Sequence, residues 1–101
     1  MSDVNAFQVV YSAALRNHIK ELIDQAKLKD MLLANNMLHA LSILDGRMRR
    51  EPFDLGEPRF SLPELHLKVR IAVETPLAIS FAVHEQLPIV FVQAVRMLVG
   101  N

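Results

Sequence analysis

The chain has no cysteine and no tryptophan, and its 101 residues include only one tyrosine and three glycines. Without cysteine there is no disulfide framework, no thiolate nucleophile and no thiolate metal ligand. An excess of either charge is also lacking: 11 Lys+Arg balance 11 Asp+Glu, for a formal net charge of zero. Such a chain has no global field to draw in nucleic acid or an anionic membrane, although a local basic patch remains compatible with it. Neutrality also removes one protection against self-association, so a homodimer is an expectation. Apolar runs long enough to cross a bilayer, about 20 residues, are missing. Met1 to Asn5 shows no basic region followed by an apolar run, so no secretory signal is expected and the cytoplasm is the default location. Repeats and low-complexity tracts are absent as well.

What is present is a balanced globular composition. Hydrophobic residues make up 51% and charged residues 22%, enough for one core and one domain over residues 1–101. Phe7 to Tyr11 is a short β-type run. Ser12 follows it as a helix N-cap, its hydroxyl placed to accept from an orphan backbone N–H. Leu15, Ile19, Leu22, Ile23 and Ala26 recur at helical spacing and predict an amphipathic helix over residues 13–27. Lys27 to Asp30 reads as a break, with Asp30 as the cap of a second helix. Leu33, Met37, Leu41, Leu44 and Met48 line one face of that helix, and Leu38 widens the stripe. Arg47, Arg49 and Arg50 lie in its last turn, at the negative end of the helix dipole. Pro52 stops it. Residues 51–64 hold three prolines and a glycine and read as a packed loop.

The remainder alternates as β-structure. Leu67, Val69, Ile71 and Val73 alternate with Lys68, Arg70, Ala72 and Glu74. Leu77, Ile79, Phe81 and Val83 alternate with Ala78, Ser80, Ala82 and His84. Ile89 to Val95 is nearly continuous in apolar character, which suits a central strand. A three-residue loop at Glu74 to Pro76 puts both apolar sets on one face, beneath the helices. A two-residue loop mixes the sets and is rejected. The chosen register exposes His66, Lys68, Arg70, Ser80 and His84 on the opposite face, and a turn near Gln86 adds Ile89, Phe91, Gln93 and Val95. The expected fold is α+β, in the order β-α-α-β-β-β. A helical hairpin packs on a mainly antiparallel four-stranded sheet whose other face is open.

This order resembles the RelE/ParE toxin superfamily over about residues 6–98. Phe7 to Leu15 is similar to that family's opening strand and first helix. Leu38 to Pro52 resembles its second helix, which ends in a basic stretch and proline. Leu62 to Arg70, Leu77 to Glu85 and Val90 to Arg96 resemble its last three strands. The resemblance implies a bacterial, plasmid stabilisation-like toxin of a type II toxin–antitoxin system. RelE-like members cleave messenger RNA on the ribosome, ParE-like members inhibit gyrase, and an antitoxin peptide wraps either kind. Neither a cofactor nor a metal is implied.

RNA cleavage needs a group to activate the 2′-hydroxyl and cations to stabilise the phosphorane. Carried over by position, Lys68, Arg70 and Arg96 are the catalytic candidates. The family's arginine at the start of the third strand falls on Leu77, and its aromatic residue falls near Ser80 or Phe81. These departures imply a degenerate ribonuclease site. The candidates for nucleic-acid or partner binding are Arg49, Arg50, Arg59, His66, Ser80, His84, Phe91 and Gln93.

Each candidate also has a plainer reading. Lys68 and Arg70 suit phosphate, or a solvated strand face that discourages edge pairing. The chosen register sets His66 and His84 opposite one another, about 5 Å apart at Cβ. That is half a metal site or an acid/base pair, with no third ligand beyond the nearby Glu85 to complete a shell. Ser80 and Gln93 can orient a substrate or simply bond across strands. Arg47, Arg49, Arg50 and Arg59 can meet nucleic acid or an acidic partner, or the first three can complement a helix end. Met31, Met37 and Met48 are expected to fill core gaps. Two functions follow: a toxin-like protein that binds an antitoxin or another protein, or a non-catalytic interaction or homodimerisation domain on the same fold.

Overall fold

The computed structural model describes residues 6–98. Its elements are β1 (Gln8–Val10), α1 (Ala13–Lys29), α2 (Met31–Arg50), β2 (Glu57–Leu62), a 3-10 turn (Pro63–Leu65), β3 (Leu67–Glu74), β4 (Leu77–His84) and β5 (Ile89–Met97). The fold is α+β, with two helices and a five-stranded mixed sheet in the order β1-β5-β4-β3-β2. β1 runs parallel to β5 and the other neighbours are antiparallel. β5 sits between β1 and β4, an interior position as its apolar run predicts, while the middle strand of the five is β4.

The helices begin where their caps are. The Ser12 hydroxyl accepts from the Leu15 N–H at 3.1 Å. Asp30 serves both helices at once. Its N–H donates to the Ala26 carbonyl at 2.7 Å, closing α1. Its carboxylate accepts from the Leu32 and Leu33 N–H groups at 3.0 and 3.4 Å, opening α2. The break is therefore one residue, and α1 runs to Lys29 rather than stopping near Lys27. The tight tip leaves Leu28 and Leu32 exposed, and Met31 with them, so Met31 fills no core gap. Met37 and Met48 are fully buried, as expected.

One core lies between the hairpin and one face of the sheet. Leu15, Ala34, Met37, Ala40, Leu44 and Met48 meet Leu77, Ile79, Phe81, Val83, Val90, Val92 and Val95 there. Burying the helical stripe against these strands is the main source of helix stability. Phe7 is tied in twice. Its N–H donates to the Arg49 carbonyl at 2.8 Å. Its ring meets Phe53 edge-on, with centroids 6.0 Å apart.

Two expectations about the sheet are corrected. First, the segment read as a loop contains β2, so the sheet has five strands rather than four. β2 is an edge strand, where Pro58 can be tolerated because no ladder partner need lie beyond it. Second, the β3–β4 turn has two residues. Glu74 pairs with Leu77, Ile71 with Ser80 and Val69 with Ala82, across a cis Thr75–Pro76 bond. The rejected register is the real one, because β3 does not bury its apolar set beneath the helices. Only Ala72 of β3 joins the helix-side core. Val69 and Ala82 are buried too, 3% and 0% exposed, but on the other face.

Candidate functional site

A one-residue slip moves every side chain of a strand to the opposite face. Lys68 and Arg70 therefore lie on the helix side, paired with Val83 and Phe81. Arg70 works there as a strut. Its Nε donates to the Leu55 carbonyl at 2.8 Å and its terminal nitrogen to the Gly56 carbonyl at 3.0 Å. Lys68 reaches Glu85 at 3.6 Å. Arg70→Ala is expected to cost about 1.5–3 kcal/mol, the usual worth of hydrogen bonds from a charged donor. Lys68→Ala should cost under ~1 kcal/mol, as for an exposed ion pair. Urea denaturation of the two variants checks the difference.

The open face is largely apolar. Leu62, Leu67, Phe60, Val69, Ala82 and Phe91 form one region of it, and Ile71, Val73 and Ala78 continue it. Phe60 is 55% and Phe91 38% exposed. Two bulges interrupt the ladders. Arg59 is the extra residue between the pairs Pro58–Arg70 and Phe60–Val69. Gln93 is the extra residue between Phe81–Val92 and Ser80–Ala94. Bulges re-aim side chains, and both of these serve one cavity of about 220 Å³ on the open face, lined by Arg59, Phe60, Val69, Ile71, Ala78, Ser80, Gln93 and Arg96 among others. The Ser80 hydroxyl donates to the side-chain amide oxygen of Gln93 at 3.4 Å, the cross-strand bond that the plainer reading expects. No acidic side chain is among the described residues lining the cavity.

Thus Arg59, Ser80, Gln93 and Arg96 come together, with Phe91 and His84 on the same face outside the cavity. Val95 was expected on this face and lies in the helix-side core, because the Gln93 bulge reverses the alternation after it. Arg49 and Arg50 stay at the end of α2. Phe60, Val69 and Ala78 are site residues that the sequence reading missed. Phe60-Ser61-Leu62 alternates and could have betrayed β2.

His66 does not face His84 across the ladder; Leu67 does. His66 adopts a left-handed conformation, φ 57°, at the end of the 3-10 turn, and the two rings lie 6.1 Å apart. The His84 Nδ1 accepts from the Gln86 and Leu87 N–H groups, both at 3.0 Å. The neutral ring then carries its proton on Nε2, which can donate but cannot coordinate a cation without losing that proton. Among the described residues no cluster of three or more His, Asp or Glu side chains is placed to hold a metal.

A titratable cluster lies on the helical side, at one end of a groove of about 670 Å³ between the helices. The Tyr11 hydroxyl donates to Asp45 at 2.7 Å, and the Arg49 Nε donates to the other Asp45 oxygen at 2.7 Å. Burial, the hydrogen bond to Asp45 and the Asp45 charge push the phenol well above its usual value near 10.0. Burial works to raise Asp45, but hydrogen bonds from Arg49 and Tyr11 and the Arg49 charge outweigh it, and the carboxyl lies below its usual range. The phenol's contribution to stability is complete below pH ~10 and fades as pH rises through its folded value. The carboxylate's is complete above about pH 4 and fades as pH falls through its folded value. Tyr11 is the only tyrosine and there is no tryptophan, so absorbance near 295 nm reads it alone. Its ionisation in the folded protein is expected at higher pH than in denaturant, with Asp45→Asn closing part of the gap.

Comparison with known proteins adds no family to this picture: no family model matches the chain, and neither a curated protein nor a solved structure matches it.

Proposed function

We propose that this chain is a divergent RelE/ParE-type protein that acts by binding another protein across its open sheet face, with a degenerate ribonuclease site. The observation that carries the reading is the division of labour between the two faces. Of the three cations matched to RNA chemistry, Arg70 braces the Leu55–Gly56 backbone and Lys68 pairs with Glu85 on the helix side. Only Arg96 reaches the open face. What the open face presents is an apolar surface, Phe60, Leu62, Ile71, Val73 and Phe91, over the buried Val69, with a polar and cationic cavity beside it. Exposed apolar patches of this kind mark protein contacts rather than phosphate backbones. The chain's zero net charge points the same way. The order of one strand, a helical hairpin and an antiparallel run of strands supports the RelE/ParE likeness, and an antitoxin peptide is the partner that likeness implies.

The test is induced expression in a bacterial host beside a Phe60→Asp/Phe91→Asp variant, together with a ribosome-dependent mRNA cleavage assay. Growth arrest that the folded variant relieves, without cleavage, is the expected result and points to a protein target such as gyrase. Cleavage of mRNA lost in Arg96→Ala overturns the degenerate-site reading. The second reading is a homodimerisation domain without toxicity, favoured by the same apolar face on a neutral chain. It requires the absence of arrest and a dimer by light scattering that Phe60→Asp/Phe91→Asp dissociates.

A further inference from the structure

We propose that the cavity beneath Arg59 and Arg96 is a carboxylate anchor, taking an Asp or Glu side chain from an acidic, apolar peptide segment of the partner. The inference rests on the protein-docking reading above and adds the chemistry that selects the partner.

Among the described residues, the cavity's lining is one-sided in charge. Arg59 and Arg96 supply guanidinium groups, and no described carboxylate forms an ion pair with either. Gln93 accepts the Ser80 hydroxyl proton on its carbonyl, which leaves its NH₂ to donate. The polar groups at hand are therefore mostly donors, which matches an anion.

The position of the two arginines is built into the sheet. Arg59 comes from edge strand β2 and Arg96 from β5, with β3 and β4 between them. Adjacent strands are about 4.8 Å apart, and the register sets Arg59, level with Phe81 and Ala82 of β4, three to four residues along the sheet from Arg96, which pairs with Ala78, so the two Cα atoms are roughly 18 Å apart. Both side chains nevertheless line the one cavity, and an oxyanion inside it is approached by their guanidinium groups from opposite ends. The Arg59 bulge supplies one of them, and the Gln93 bulge turns the amide toward the same place.

The floor decides between ligands. Val69 and Ala78 are both 3% exposed and give an apolar base beneath the charged rim. A peptide alternating apolar and acidic residues satisfies both layers, with aliphatic groups on the sheet and the carboxylate between the guanidiniums. A polynucleotide offers a run of phosphates to two arginines on a neutral protein, a poor electrostatic match.

The probe is a capped Leu-Glu-Leu-Glu-Leu peptide titrated into the full ¹⁵N-labelled chain. Its Leu-Gln-Leu-Gln-Leu counterpart and a single-stranded RNA oligonucleotide run in parallel. The acidic peptide is expected to shift the Ala78, Ser80 and Ala94 amides. Binding should weaken at least ~10-fold with the glutamine peptide, and equally with Arg59→Ala/Arg96→Ala. Arg59→Lys/Arg96→Lys, which keeps charge but loses the fork, should fall between. Circular dichroism confirms that the variants fold. Equal binding of both peptides overturns the anchor and leaves protein docking standing. Tighter binding of RNA at the same amides overturns it in favour of a phosphate site. No shift at these amides overturns it too, with the docking reading then decided by the growth assay.

Discussion

Gly56→Ala is expected to destabilise the protein by about 3–4 kcal/mol, nearly as much as any single substitution in it. Gly56 has φ +70°, and a Cβ there would stand 2.1 Å from the Ile71 carbonyl oxygen and 2.9 Å from the Ala72 Cα. The left-handed conformation alone costs a side-chain-bearing residue ~1–2 kcal/mol. The clash is with backbone, which cannot rotate aside as a side chain would, so β2 or β3 must move. The Gly56 carbonyl also accepts from Arg70, and moving it loosens that strut. The measurement is equilibrium unfolding in urea. A loss below ~1 kcal/mol would mean that the approach of this loop to β3 is looser than described.

Phe81→Ala is expected to cost about 3–5 kcal/mol, the range for emptying a large aromatic site in a packed core. Phe81 is 0% exposed and sits in the helix-side core with Met37, Leu44 and Val92. Its neighbours come from both layers, so the space cannot close by moving one element. Phe60→Ala makes the control. That ring is on the open face, and its removal should cost under ~1 kcal/mol while weakening partner binding. Since whole domains are held by about 5–15 kcal/mol, the Phe81 variant should be partly unfolded at 37 °C and the Phe60 variant folded. The same unfolding assay, with circular dichroism, separates them.

The parts of this fold that local chemistry dictates were legible in the sequence. Ser12 and Asp30 cap helices because short polar side chains satisfy orphan N–H groups, whatever the tertiary setting. β4 was placed with the correct face inward, since Leu77, Ile79, Phe81 and Val83 leave no other choice. Ser80 and His84 followed onto the open side, and the turn near Gln86 added Phe91 and Gln93; Arg96 reaches that side only because of the Gln93 bulge. The misplacements have separate causes. Pairing apolar with apolar assumes that a sheet has one wet face, and here β3 turns Val69 and Ile71 away from the helices. The slip sent Lys68 and Arg70 to the wrong side. A bulge is a single inserted residue with no composition of its own, so the reversal at Val95 left no signal. β2 was hidden by Pro58 within it, by Pro52 and Pro63 to either side, and by Gly56, whose close approach to β3 is visible only in three dimensions.

The pairing of β1 with β5 has a consequence for the order of assembly. Gln8 lies opposite Ile89, so the first strand made waits for the last. The helical hairpin is local and can form while the chain is still being synthesised, but its apolar stripe has no cover until β4 and β5 leave the ribosome. Non-local pairing of this kind must meet its loop-closure entropy before the contacts repay it. In a cell, the interval between release of α2 and release of β5 is when this chain is most open to chaperones, proteases and wrong partners.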